Sequence, residues 1–124
     1  MKKILVVDDE TSVRTMLVAM VKPDGYEMIE ASNGEEAMAA FNDVTVDLVI
    51  TDIVMPVKNG IDLTMELKKT HPDIPVIAIS GGGGISGRYD YLEIAKLVGA
   101  KNILKKPFTR NELCSVVAEI LEEK

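Results

Sequence analysis

The chain has 124 residues, close to the commonest size of a single domain, which leaves room for one hydrophobic core and excludes most multi-domain enzymes. Apolar residues make up 47% and charged residues 27%, the balance of a chain that folds by itself rather than one that stays disordered. With 20 acidic against 14 basic residues the net charge is −6, which repels nucleic-acid phosphates and anionic membrane surfaces, so neither is expected as a direct partner.

One cysteine, Cys114, cannot form an internal disulfide, and no run of about 18 apolar residues exists to span a bilayer. Met1-Lys2-Lys3 is followed by only four apolar residues before Asp8, too few for a signal peptide. A reducing cytoplasm is the expected setting.

Along the chain, short β-branched runs alternate with longer segments of helical period, the pattern of an α/β domain with a parallel sheet. The first strand is predicted at 3–7. A helix follows in which Val13, Met16, Leu17, Met20 and Val21 form one apolar stripe. The second strand, 26–31, leads to a helix whose start, Asn33-Gly34-Glu35-Glu36, has the pattern of a capping box. The third strand, 47–51, precedes a helix around 62–70 with a less regular stripe. The fourth, 75–79, is followed by a helix at about 90–98 that stops at Gly99, a natural left-handed cap. The fifth strand, 102–105, leads to a last helix capped by Thr109-Arg110-Asn111-Glu112, with Leu113, Val116, Val117, Ile120 and Leu121 on one face. Strands one, three and four are nearly unbroken apolar runs, as expected when helices cover both faces of a sheet.

In an open parallel sheet, ligands bind outside the carboxyl ends of the strands. Here those ends are Asp8-Asp9-Glu10, Thr51-Asp52, Ser80 and Lys105-Lys106-Pro107. Two unit charges about 4 Å apart repel by about 4 kcal/mol at an effective dielectric near 20, so three gathered carboxylates imply a cation. Oxygen ligands with positions left for water suit Mg²⁺, which commonly accompanies a phosphoryl group. Lys106 then offers a positive charge to a phosphoryl oxygen, and Ser80 a hydrogen bond. A carboxylate on a rigid strand end can itself attack phosphorus to give an aspartyl phosphate. Asp52 is the best nucleophile, because it stands alone after an apolar run, whereas adjacent Asp8 and Asp9 suit a shared metal.

These residues resemble the receiver domain of bacterial two-component response regulators. The matching pieces are Val6-Val7-Asp8-Asp9-Glu10, then Asp52-Ile53-Val54-Met55-Pro56 with Gly60 following, then Ser80, then Lys106-Pro107-Phe108. Order and spacing agree over essentially the whole chain, 1–124, as one receiver of the stand-alone, chemotaxis-regulator-like type. The resemblance implies a flavodoxin-like, doubly wound sheet of five parallel strands in the order 2-1-3-4-5, flanked by five helices. It implies phosphotransfer to Asp52 from a histidine kinase or a histidine phosphotransfer protein. It further implies that Asp9, Asp52 and the backbone carbonyl of Val54 contact Mg²⁺ directly, and that Asp8 acts mainly through a bound water. Ser80 matches the switch hydroxyl and Lys106 the phosphate-binding lysine.

Four departures from the family pattern shape what is expected. Ile103 stands where many receivers carry an aromatic switch; it reads as a strand core residue, which moves the readout to the loop or to the fourth helix. Ser80 is followed by Gly81-Gly82-Gly83-Gly84-Ile85-Ser86-Gly87. No Gly-Lys-Ser/Thr follows to make a P-loop, so the segment reads as a loop ordered by phosphorylation through Ser80. Val54 has no side-chain polar group to orient a hydrolytic water, which implies slow self-dephosphorylation. Only Glu122-Glu123-Lys124 follow the last helix, so the output is expected to be contact with a target protein through the face of the fourth helix, fifth strand and fifth helix.

Other residues read as structural. His71 is expected in a surface loop, Cys114 as a half-buried filler, Lys105 as solvated, and Met16, Met20, Met38 and Met65 as core packing. Glu10 fits either the metal shell or the start of the first helix.

Three function classes compete. The leading one is a phosphorylation-controlled binding module that catalyses only its own phosphorylation and dephosphorylation, with a phosphorelay intermediate as a close variant. A metal-dependent phosphatase needs a general acid where Val54 stands and a substrate cap. A flavin carrier of the same topology needs a first loop that welcomes phosphate, and Asp8-Asp9-Glu10 repels it.

Overall fold

The computed structural model describes residues 2–52, 60–80, 99–105 and 108–122. In chain order they form β1 (Lys3–Val7), α1 (Thr11–Val21), a 3₁₀ turn (Lys22–Asp24), β2 (Glu27–Ala31), α2 (Gly34–Asp43), β3 (Leu48–Asp52), α3 (Gly60–Thr70), β4 (Val76–Ser80), β5 (Asn102–Lys105) and α4 (Arg110–Leu121). The helix expected at about 90–98 lies outside the described residues, so α4 is the last helix of the sequence reading. All four strand pairings are parallel, in the order β2-β1-β3-β4-β5.

Alternation along the central strands explains their unbroken apolar character. Ile4, Val6, Leu48 and Ile50 pack with Leu17, Val21, Leu113 and Val117 of α1 and α4. Their neighbours Leu5, Val7 and Val49 pack with Ala37, Leu63 and Leu67 of α2 and α3. Successive strand side chains point to opposite faces, so a sheet covered on both sides needs an apolar residue at every position.

The second, third and fourth strands each begin one residue later than the sequence suggests. Pro75 has no N–H for the ladder, although its carbonyl accepts from the Val49 N–H at 3.1 Å. The Asp47 carboxylate accepts from the Lys3 N–H at 2.8 Å and so closes the strand end from outside. β3 and β4 also run one residue further, which makes Asp52 and Ser80 the last residues of their strands.

Both predicted helix caps are present, in different forms. At α4 the box is complete: the Glu112 N–H donates to Thr109 Oγ1 at 3.1 Å and the Thr109 N–H to Glu112 Oε1 at 2.7 Å. At α2 the Glu36 N–H donates to Asn33 Oδ1 at 2.9 Å, but the Glu36 carboxylate reaches one residue further, to the N–H and hydroxyl of Ser32, both at 2.8 Å. Those two donors hold the Glu36 carboxyl below the usual range. Gly99 is left-handed, with φ at +115°, and a Cβ there would stand 2.9 Å from the Lys68 side chain. The positive φ is what demands glycine, since the flexible Lys68 side chain could move aside for a Cβ.

Of the four methionines expected in the core, Met20 and Met38 pack there, but Met16 and Met65 are 40% and 48% exposed. Val13, Leu17, Met20 and Val21 already fill the buried face of α1. On α3 it is Thr64 that is buried instead, its hydroxyl donating to the Gly60 carbonyl at 2.7 Å. His71 is half-buried, its ring 4.6 Å from that of Phe41. Ile103 is half-buried on the edge strand β5, where Leu104 supplies the contact with the α1/α4 core. Cys114 is more deeply buried than the sequence suggested; its thiol donates to the Met20 carbonyl at 3.2 Å, and burial pushes its pKa up.

The C-cap of α4 is tied to the residue before β2 by the Tyr26 hydroxyl, which donates to Glu122 Oε2 at 2.6 Å. Burial first, and this carboxylate second, push the Tyr26 pKa up from 10.0 to about 12. A raised folded pKa contributes stability that is complete below the unfolded value and is lost as pH rises through the folded one. Between about pH 10 and 12 the folded protein is therefore expected to lose this contribution. Ultraviolet titration should show one tyrosine ionising late, and Tyr26→Phe should remove that late step; a late step that survives the substitution contradicts the assignment.

Candidate functional site

The sheet gathers the acidic residues at the carboxyl ends of its two central strands. Asp8 directly follows β1, and its N–H extends the ladder to the Ala31 carbonyl at 3.1 Å. Asp52 ends β3, where it pairs with Ile79 of β4. Asp9 follows in the loop to α1. One carboxylate oxygen from each of Asp8, Asp9 and Asp52 lies within 4.8 Å of the others. Asp8 is buried, at 1% exposure, Asp52 is partly buried, and Asp9 is open to solvent.

Local bonds hold this loop and strand end. The Glu10 N–H donates to Asp8 Oδ1 at 2.9 Å, folding the turn back on its own carboxylate. Glu10 itself is the N-cap residue of α1, with no side-chain cap bond, and stands outside the carboxylate trio. Of its two sequence readings, the helix start is the one its position matches. Arg14 of α1 donates from Nη1 to the Asp8 carbonyl at 2.7 Å and from Nε to Glu30 of β2 at 3.2 Å. Buried Thr51 donates its hydroxyl to the Asp52 carbonyl at 2.8 Å.

Sequence reasoning missed Arg14 and Glu30, and it placed Thr51 at the strand end without giving its hydroxyl a role. For Arg14 one signal was available, since it is the single basic residue of an otherwise apolar and hydroxylic α1. Among the residues it did name, the backbone of Ser80 ends β4 opposite Lys105 of β5, one step beyond the Asp52 partner Ile79. Val54, Lys106 and the glycine segment at 81–87 lie outside the described residues, as do the side chains of Ser80 and Lys105.

The donor set fits a small hard cation. Three carboxylate oxygens from a rigid sheet edge converge, no nitrogen or sulfur competes with them in the group, and two of the three residues leave a side open to water. Mg²⁺ meets those terms, binding through a few carboxylates while retaining water.

The likenesses to known proteins follow the same lines. At 40% identity, the chain matches the probable transcriptional regulator ycf27 of Pyropia yezoensis over 97% of its own length and 47% of that protein's. At 39% it matches the transcriptional regulatory protein CpxR of Klebsiella pneumoniae subsp. pneumoniae over 98% of its length and 50% of the relative's. The chain thus spans about half the length of these curated relatives. Among solved structures, the receiver domain of NtrX from Brucella abortus superposes with a TM-score of 0.87 at 36% identity, covering 98% of this chain and 99% of that one. The response regulator protein TrrA from Thermotoga maritima, solved in complex with Mg(2+)-BeF, superposes at 0.83 with 34% identity, covering 98% and 100%. The family model described as the response regulator receiver domain matches residues 4–118, and with the 2-1-3-4-5 sheet and its carboxylate edge this chain belongs to the response regulator receiver domains.

Proposed function

We propose that this receiver accepts a phosphoryl group on Asp52 from a phosphohistidine of a kinase or phosphotransfer protein, and signals through phosphorylation-dependent binding of a protein. The convergence of Asp8, Asp9 and Asp52 at the carboxyl edge of the sheet carries this reading. An Asp52 carboxylate oxygen forms a bond to phosphorus as the phosphorus–nitrogen bond of the donor breaks, and the departing imidazole nitrogen takes a proton from water. Asp8, Asp9 and Asp52 would hold Mg²⁺, together with the Val54 carbonyl that the family resemblance implies, and the bound ion would supply neutralisation of charge on the phosphoryl oxygens. β3 fixes the acceptor, since its last ladder partner is Ile79 and its carbonyl is held by Thr51. Ser80, the last residue of β4, and Lys106, which follows β5 in the sequence, are assigned to the phosphoryl oxygens on the family resemblance.

The domain then turns over no outside substrate and catalyses only its own phosphorylation and dephosphorylation. A cytoplasmic setting suits the free, buried thiol of Cys114, and no helix among the described residues is long and apolar enough to cross a membrane. The sequence expectation of no nucleic-acid partner is narrowed to this domain's own acidic surface, because relatives about twice as long are named transcriptional regulators.

Intact mass after incubation with a small phosphodonor and Mg²⁺ tests the assignment. The parent should gain one phosphoryl group, and neither the parent with a chelator nor Asp52→Asn with Mg²⁺ should. Equal label on parent and Asp52→Asn would overturn it.

A further inference from the structure

The Arg14 side chain is 15% exposed and joins three separate pieces of backbone and side chain around the acidic loop. Nη1 donates to the Asp8 carbonyl at 2.7 Å, Nη2 to Thr11 Oγ1 at 3.3 Å, and Nε to Glu30 Oε1 at 3.2 Å. Glu30 belongs to β2 and pairs with Val6, so the guanidinium bridges the sheet, the first turn of α1 and the loop between them. The carbonyl it grips is that of the peptide joining Asp8 to Asp9. A peptide unit is planar, so fixing its oxygen fixes the plane, and with it the directions in which the two neighbouring side chains leave the backbone.

From this geometry we infer that Arg14 is a positioning residue for the cation site, setting how the Asp8 and Asp9 carboxylates converge; the inference rests on the Mg²⁺ reading above. Two effects of Arg14 oppose one another. Its positive charge beside the acidic loop disfavours a cation, whereas its grip on the loop favours one. The ion pair with Glu30 offsets much of the charge, and what remains is screened by solvent. The grip acts directly on ligand geometry, which must hold to about half an ångström. Geometry therefore outweighs charge.

Arg14→Lys and Arg14→Gln separate the two. Lysine keeps the charge but cannot span three partners with a planar fork, and glutamine loses both. Calorimetric titration of each metal-free protein with Mg²⁺ should give a dissociation constant raised about tenfold in both variants, the usual size of an outer-sphere loss. Amide exchange at Asp9 and Glu10 should quicken in both, while the urea midpoint without Mg²⁺ stays close to that of the parent. Affinity unchanged in both variants, or tightened in Arg14→Gln, would overturn the inference, as would an affinity loss that follows a collapsed urea midpoint. If the parent itself binds no Mg²⁺, the reading beneath the inference fails with it; binding by the parent that Arg14→Lys and Arg14→Gln both preserve sinks the inference alone.

Discussion

Asp8→Asn is expected to make the metal-free protein more stable and the Mg²⁺-saturated protein less stable than the parent, so that the two unfolding curves exchange order as Mg²⁺ is added. Asp8 is the buried member of the trio, and its oxygen lies within 4.8 Å of those of Asp9 and Asp52. At that separation, two unit charges repel by about 3 kcal/mol at an effective dielectric near 20. Exposure of Asp9 and part of Asp52 lets water screen the interaction, leaving about 1–2 kcal/mol to be recovered when the Asp8 charge is removed. Asparagine keeps an oxygen at Oδ1 to accept from the Glu10 N–H, so the turn should survive the substitution. For a domain of this size the gain is several degrees in Tm.

Added Mg²⁺ reverses the comparison. A ligand that binds only the folded state stabilises it by about 2.7 kcal/mol at a concentration 100 times its Kd. The parent gains that, and the variant, having lost a buried carboxylate, gains far less. Thermal unfolding with and without Mg²⁺ measures both arms. A variant less stable than the parent in both conditions would mean that the trio is not under repulsive strain.

Which parts of this arrangement could be read from the residues follows from their chemistry. Three carboxylates at strand ends are conspicuous because charge rarely follows an apolar run without cause, and strand alternation with helical stripes is enough to place those ends on one edge. The face assignment is less accessible: nothing in Ile4-Leu5-Val6-Val7 says that the first and third residues meet α1 and α4 while the others meet α2 and α3. Long-range polar contacts are less accessible still. Arg14 and Glu30 are 16 residues apart and Tyr26 and Glu122 are 96 apart, and each pair depends on backbone placement that the local sequence does not encode.

Met16 and Met65 show the reverse error. Periodicity counts a methionine as apolar wherever it stands near a stripe, but a helix face has a finite width, and its edge residues face water once Leu17 or Leu67 has filled the centre. Thr64 was passed over for the opposite reason: its hydroxyl satisfies itself on the Gly60 carbonyl one turn back, and what remains to bury is a methyl group.

Ile50→Ala is expected to cause the largest loss of stability. Ile50 lies in the middle of the central strand β3, with Val6 beside it on β1 and Ile77 on β4, and none of its surface is exposed. Its side chain belongs to the layer formed with Leu17, Leu113 and Val117, so shortening it leaves a void that two helices and two strands cannot close together. Such truncations cost about 2–5 kcal/mol, against a total of about 5–15 kcal/mol for a typical domain. Urea unfolding should show a lower midpoint with an unchanged slope. Ile50→Val should cost about 0.5–1.5 kcal/mol, and Met65→Ala, at a site 48% exposed, should stay within about 0.5 kcal/mol.

The same position also tests how the core supports the site. Ile50 shares a strand face with Asp52, two residues on, so the void opens directly beneath the acceptor. The Asp52 backbone is nevertheless held by its pairing with Ile79 and by the Thr51 hydroxyl, neither of which the truncation removes. At temperatures where Ile50→Ala remains folded, Mg²⁺ affinity and labelling at Asp52 should therefore fall only a few-fold. A loss of labelling far beyond the loss of folded protein would show that packing under β3, rather than its ladder, sets the position of the acceptor.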